Sequence, residues 1–210
     1  MNPLDLNDII KNAFLEDIGD GDHTTLSTVP ENAKGKAKLL VKDDGIIAGV
    51  ELAEKIFTYF DAELKLNFLV KDGDRVKKGD IAFTVEGSSR SILMTERIVL
   101  NFMQRMSGIA TQTNKIVSEV KGLQTKVLDT RKTTPGIRLI EKWAVAIGGG
   151  NNHRFGLYDM VMIKDNHIDY AGGVVPAIQR TKEYLAKNNK DLKIEVEIRS
   201  FDELHAAMNE

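Results

Sequence analysis

Three short polar clusters between Asp129 and His167 hold the side chains best suited to chemistry. They are Asp129-Thr130-Arg131-Lys132-Thr133-Thr134-Pro135-Gly136, Gly148-Gly149-Gly150-Asn151-Asn152-His153-Arg154, and Ile163-Lys164-Asp165-Asn166-His167. Each set of cations lies beside an apolar β-type run or a glycine turn, not on a solvated helical face. Arg131 and Lys132 follow Val127-Leu128, and Lys164 ends Met160-Val161-Met162-Ile163. Cations at strand ends and in loops can converge, and a small multiply charged anion is the ligand such a convergence would hold. A third apolar run, Lys193–Ile198, carries Glu197 near its end.

The elements that must position these groups follow from periodicity. Apolar strands are expected at Lys126–Asp129, Met160–Ile163 and Lys193–Ile198, with helices at Leu139–Ile147 and Val174–Leu185 between them. Such alternation predicts parallel strands joined by helical crossovers, with ligands at the carboxyl ends of the strands. The triple glycine follows a helix and does not open one, so it fits neither a P-loop nor a dinucleotide fingerprint. Its expected duty is a C-cap and turn that presents His153 and Arg154.

Upstream, Leu6, Ile9, Ile10 and Phe14 space as a short helix ending before Gly19. Glu16 to Thr25 reads as a polar loop closing onto the first strand, because its twelfth position lacks the glutamate of a calcium loop. Lys36–Val41 alternates like a strand, Leu52, Ile56 and Phe60 space as a helix, and Phe68–Val85 reads as short strands around two Gly-Asp turns. A long helix is expected from Ile92 to Gly122, interrupted near Ser107-Gly108. On it, Arg97 lies between Thr95-Glu96 and Ile98-Val99, where a surface arginine paired to a neighbouring acid is the ordinary alternative to a ligand group.

Composition excludes several classes. The formal net charge of −2 over 210 residues argues against a general nucleic-acid or membrane-surface binder. Charge is unevenly spread: Lys121 to Arg154 holds seven cations against Asp129 and Glu141, which suits a site and not a coat. With no cysteine, disulfides and thiolate metal ligands are excluded, and His23, His153 and His167 lack zinc-ligand spacing. No signal segment and no run of membrane-spanning length is apparent, so a cytoplasmic protein without a membrane partner is expected.

Taken with Thr95-Glu96-Arg97, Asn101, Ser107-Gly108-Ile109-Ala110-Thr111, Asp22-His23-Thr24-Thr25 and Glu195-Val196-Glu197, the three clusters resemble quinolinate phosphoribosyltransferase, the carboxylating nicotinate-nucleotide pyrophosphorylase of NAD synthesis. The resemblance covers the whole chain in order, and the Asp-Thr-Arg-Lys-Thr-Thr-Pro-Gly string is its most specific part. It implies an α+β N-terminal domain over residues 1–110, followed over 111–210 by the first part of an open α/β barrel built of parallel strands with βα units. It implies homodimers with shared active sites, the substrates quinolinate and phosphoribosyl pyrophosphate, and magnesium as cofactor. Arg131, His153, Arg154 and Lys164 are then expected to hold the quinolinate carboxylates, with Arg97 arriving from the partner subunit. Lys132 is expected on the phosphoribosyl pyrophosphate side and Thr130 in the pocket lining. Glu197 is expected to face the ribose hydroxyls or the metal. Lys132, Lys164 and Glu197 carry the catalytic expectation.

Family members continue beyond Glu197 with a further strand and glycine-bearing loops. The 210 residues are therefore expected to be a C-terminally truncated fragment with little activity alone. Two alternatives stay open: a related phosphoribosyltransferase-like protein for another anionic compound, and a non-catalytic module.

Overall fold

The computed structural model describes residues 5–210; the first four positions of the region expected over 1–110 lie outside the described residues. The chain divides into two compact units, one ending at His153 and the other running from Arg154 to Glu210.

The first unit opens with α1 (Leu6–Asp17), started by the Asp5 carboxylate accepting from the Asp8 N–H and burying Ile9, Ile10 and Phe14. Next comes α2 (His23–Thr28), where a polar loop was expected. Asp22 makes the difference: its carboxylate accepts from the Thr25 N–H at 3.0 Å and from the Thr25 hydroxyl, which is N-capping chemistry. The hydroxyl and amide of Thr25 together hold the Asp22 pKa below the ordinary carboxylate value.

The strands β1 (Lys34–Leu40), β3 (Lys65–Phe68) and β5 (Ile81–Ser88) form an antiparallel sheet in the order β1-β5-β3. A second antiparallel pair joins β2 (Gly45–Ile46) to β4 (Arg75–Val76). Between them, α3 (Val50–Phe60) is capped from a distance, since the Asp72 carboxylate accepts from the Val50 and Glu51 amides at 2.9 and 3.1 Å. Gly49 enters α3 at φ +93, and a Cβ there would come within 3.3 Å of the Met103 backbone, so only glycine suits this approach.

The scaffold of the unit is α4 (Ser89–Glu119), a single helix of 31 residues, about 46 Å long at the usual rise. The interruption expected near Ser107-Gly108 does not occur, and α4 runs unbroken through residue 110. The reason is the use made of the small polar residues. Ser107 Oγ accepts from Ala48 N at 2.9 Å, and Thr111 Oγ1 accepts from Ile46 N at 2.9 Å. One turn apart, these hydroxyls fasten the helix to the chain leaving β2 instead of competing with its own hydrogen bonds. Opposite them, α5 (Arg138–Ile147) packs on α4. The common core includes Leu52, Ile56, Met106 and Ile140, each buried, and each such side chain contributes roughly 1.5–3 kcal/mol.

In the second unit β6 (Val161–Ile163) pairs in parallel with β7 (Ile194–Val196), and α6 (Asp165–Ala171) and α7 (Val174–Lys187) lie between them in the chain. The last element is α8 (Phe201–Met208). Ile163, Ile168, Val174, Ala177 and Ile178 form its core. The expected strand Lys126–Asp129 is reduced to an isolated parallel bridge, Leu128↔Asn151. Its partner is the tail of a glycine turn, which offers one extended residue where a ladder needs several. The architecture is thus α+β up to α4 and of α/β kind beyond it, with no closed barrel among the described residues.

Candidate functional site

Each unit holds one arrangement of the polar residues singled out from the sequence. In the first unit it is the turn from Asp129 to Pro135, anchored by α5. Lys142 Nζ donates to Asp129 Oδ1, and both side chains are nearly inaccessible, at 2% and 6% exposure. The same Oδ1 accepts from the His153 N–H at 2.8 Å, and Lys142 Nζ donates to the His153 carbonyl at 3.2 Å. Asn152, with its amide turned to donate, reaches Asp129 Oδ2 at 2.8 Å and the Lys142 carbonyl at 2.9 Å. Two backbone bonds, Asn151 N to Val127 O at 2.8 Å and Asp129 N to Asn151 O at 3.1 Å, align the same segments.

The far end of the turn is held by Glu141. Its carboxylate accepts from Thr134 N at 3.0 Å and from Arg105 Nε at 2.6 Å, with a second bond from Arg105 Nη2. Burial opposes ionisation of Glu141, but the hydrogen bonds from Thr134 and then Arg105 outweigh it and hold the pKa below the ordinary value. Arg138 Nε donates to the Thr133 hydroxyl at 2.8 Å and its Nη2 reaches the Arg131 carbonyl at 3.5 Å. Within this frame Thr130 Oγ1 accepts from Lys132 N at 3.1 Å. Arg131 Nε is buried with no hydrogen-bond partner, while Lys132 is exposed. A buried guanidinium nitrogen left unmatched costs free energy until an acceptor meets it.

The triple glycine has a tighter role than turn-making. A Cβ on Gly148 would stand 2.5 Å from the Ala110 carbonyl oxygen of α4, and one on Gly150 would stand 2.7 Å from Val145 Cγ1. Gly149, at φ +91, supplies the left-handed step between them. Close packing on α4 therefore sets where Asn151 to His153 begin.

In the second unit, Lys164 and Glu197 follow the last residues of β6 and β7, and parallel pairing sets them side by side; Glu197 N donates to Ile163 O at 2.8 Å. Lys164 Nζ donates to Glu197 Oε1, and the pair is about half exposed. Lys164 also starts α6, its N–H donating to His167 Nδ1 at 2.9 Å. Arg154 is directed to the chain before β6, donating to Met160 O at 3.2 Å, with Met162 Sδ 3.6 Å from its Nη2. Arg97 stands exposed on α4 and is joined by no hydrogen bond or ion pair to the Thr130–Lys132 turn among the described residues. A hollow of about 490 Å³ in the first unit, lined by Val41, Ile46, Met103 and Thr111 among others, contains none of these residues.

Sequence reasoning missed Lys142, Glu141, Arg105 and Asp129 as the frame of the cationic turn. A signal existed for the first two: they interrupt the apolar stripe of α5 between Ile140 and Trp143, where a solvated face would not lie. Their partners are 13 and 36 residues away, beyond the reach of local spacing.

Comparison with known proteins identifies the family. Residues 22–107 match the family described as quinolinate phosphoribosyl transferase, N-terminal domain, and residues 109–210 match its C-terminal domain. The chain is 49% identical over 205 residues to a tobacco (Nicotiana tabacum) protein named quinolinate phosphoribosyltransferase [decarboxylating] 1b, covering 97% of this chain and 58% of that one. It is 42% identical over 208 residues to the probable nicotinate-nucleotide pyrophosphorylase [carboxylating] of Bacillus subtilis, covering 99% and 71%. The crystal structure of NadC from Streptococcus pyogenes superposes with a TM-score of 0.90 at 41% identity, covering all of this chain and 73% of that one. The chain thus spans little more than half the length of the tobacco protein, and nearly three quarters of the streptococcal one. An α+β region followed by part of an open α/β barrel, matched from end to end in one order, makes this chain a member of the quinolinate phosphoribosyltransferase family.

Proposed function

We propose that the protein transfers the phosphoribosyl group of phosphoribosyl pyrophosphate to quinolinate with decarboxylation, giving nicotinate mononucleotide, pyrophosphate and carbon dioxide. The observation that carries this reading is the anchored turn with Arg131 Nε buried and unmatched, since guanidinium forks suit paired carboxylate oxygens. In this proposal Arg131, His153, Arg154 and Lys164 bind the two carboxylates, and a second copy of the chain contributes Arg97. Thr130 lines the pocket, and Lys132 faces the phosphoribosyl pyrophosphate. The anion-binding turn lies C-terminal to the expected 110/111 boundary, within the segment 109–210 that matches the family's C-terminal domain.

The ring nitrogen forms a bond to the sugar C1 while the C1–oxygen bond breaks and its electron pair leaves with pyrophosphate, through an oxocarbenium-like state. The bond to the 2-carboxylate then breaks, leaving its electron pair on the ring carbon beside the new pyridinium nitrogen, where a proton replaces carbon dioxide. Fixed cations nearby stabilise these charge changes without reorganising. Magnesium of this kind is held by one or two carboxylates with substrate phosphates supplying the rest, so Glu197, half exposed at a strand end, suits it. When bound, the ion would neutralise the leaving pyrophosphate. Lys164 would then be free to contact substrate while Glu197 would help hold the ion, each giving up the contact they now make with one another.

A cytoplasmic homodimer belongs to the same proposal; no helix among the described residues is long and apolar enough to cross a membrane. The test is formation of nicotinate mononucleotide and pyrophosphate by the intact protein given quinolinate, phosphoribosyl pyrophosphate and magnesium. Stoichiometric release of both products is expected. Turnover with nicotinate but not quinolinate, or none with either, would overturn the reading.

A further inference from the structure

The frame around the cationic turn contains a competitor. Asp129 lies two residues from Arg131, and a carboxylate at that spacing in a turn is a ready counter-ion for a guanidinium. Arg131 Nε nevertheless has no hydrogen-bond partner, although it is buried. The Asp129 carboxylate is fully engaged elsewhere: Oδ1 with Lys142 Nζ and the His153 N–H, Oδ2 with the Asn152 amide. The Glu141 carboxylate is likewise taken by Arg105 and Thr134. The anchors cancel each other's charge, and the cations of the turn remain unspent.

We propose that Lys142 is a positioning residue that sequesters the Asp129 carboxylate, so that the Arg131 guanidinium stays open to an anionic ligand. A buried ion pair is weak evidence of stabilisation, since apolar replacements of similar volume often serve as well. Its distinctive property here is directional. Lys142 Nζ holds Asp129 Oδ1 on the side of the His153 amide and takes the His153 carbonyl as a further acceptor. Both Asp129 oxygens are thereby committed to Lys142, His153 and Asn152. The inference rests on the assignment of Arg131 to carboxylate binding.

The experiment compares Lys142→Met, Asp129→Asn and the double variant with the unmodified protein, reading quinolinate affinity by calorimetry, the thermal midpoint, and hydrogen exchange at the Arg131 Nε–H by NMR. Each single variant strands a buried charge, so both should melt earlier. Only Lys142→Met releases a carboxylate, so it should lose quinolinate affinity tenfold or more and slow exchange at Arg131. Asp129→Asn keeps an acceptor for the His153 N–H and should bind within about threefold of the unmodified protein despite its lower midpoint. The double variant, neutral at both positions, should recover both stability and affinity, and it decides the matter if Lys142→Met fails to fold. Equal loss of affinity in the two single variants, or a stable double variant that does not bind, overturns the sequestering role. Absence of quinolinate binding by the unmodified protein would instead overturn the proposed function. Exchange at Arg131 would then decide alone, with unchanged exchange in Lys142→Met refuting the inference.

Discussion

Replacing Glu141 with glutamine separates the charge of the anchor from its shape. The carboxylate accepts from Thr134 N at 3.0 Å and from Arg105 Nε at 2.6 Å, and Arg105 Nη2 donates to it as well. Glutamine retains one acceptor oxygen, so the Thr134 bond or one Arg105 bond survives, while the ionic character of all is lost. Charged hydrogen bonds contribute about 1.5–3 kcal/mol each, and breaking a fully buried pair costs roughly 3–5 kcal/mol. Arg105 is 47% exposed and regains water, which places the loss near the lower figure, about 2 kcal/mol. For a chain of this size that lowers the thermal midpoint by roughly 4–8 °C. Trp143, the single tryptophan, sits two residues away on α5 and reports local unfolding by fluorescence. The pH dependence has a definite sign. The Glu141 pKa is depressed on folding, so its contribution is present above the unfolded value of about 4.3 and is lost as pH falls through the folded value. The gap between unmodified and variant midpoints should therefore be full at neutral pH and should close on acidification. A gap that is absent at neutral pH, or that persists unchanged once carboxylates are protonated, would refute this account of the anchor.

Arg131→Ala should weaken quinolinate binding by roughly ten- to a hundredfold while leaving the thermal midpoint unchanged or slightly raised, because it removes an unmatched buried donor. Calorimetry and melting on the same sample check both. Ser107→Ala strips the acceptor from the Ala48 N–H and should cost about 1–3 kcal/mol in denaturant unfolding; a loss below 0.5 kcal/mol, roughly the range of neutral surface changes, would mean the hydroxyl does not fasten α4. If a second copy supplies Arg97 to the site, mixing inactive Arg97→Ala and Lys164→Ala chains should restore part of the activity, since one site of a mixed dimer is then intact. No recovery after demonstrated subunit exchange would count against sharing.

Much of this molecule was legible from hydrophobic period and turn residues. α1, α3, α5 and α7 start and end within two or three residues of their expected limits, and β6 and β7 pair in parallel as the alternation implied. Three misreadings share one cause: local pattern does not say where a side chain's hydrogen bonds go. Asp22 looked like part of a polar loop but caps α2. Ser107-Gly108 looked like a break but joins α4 to Ala48. Lys126–Asp129 has strand composition, yet only Leu128 finds a bridge partner, at Asn151. The cationic clusters stood out because arginine and lysine beside apolar runs are locally unusual. Their supports did not, because Asp129 with Lys142 and Arg105 with Glu141 meet only through the tertiary fold.

The glycines after α5 also bear on how this sequence can drift. At Gly150 the obstacles to a methyl group are largely side chains, Val145 Cγ1 at 2.7 Å and Thr113 Cγ2 at 2.9 Å. Both stand closer than a Cβ tolerates, so an alanine at 150 needs room from both, and trimming the two side chains supplies it. At Gly148 the nearest obstacle is the Ala110 carbonyl oxygen at 2.5 Å, with the Ala110 Cα at 3.0 Å. Backbone atoms are common to all residue types, and no replacement at 110 removes them. Two adjacent-looking glycines therefore differ in evolutionary standing. A library randomised at 113, 145, 148 and 150 should return variants at 150 accompanied by smaller residues at both 113 and 145, while position 148 returns glycine alone.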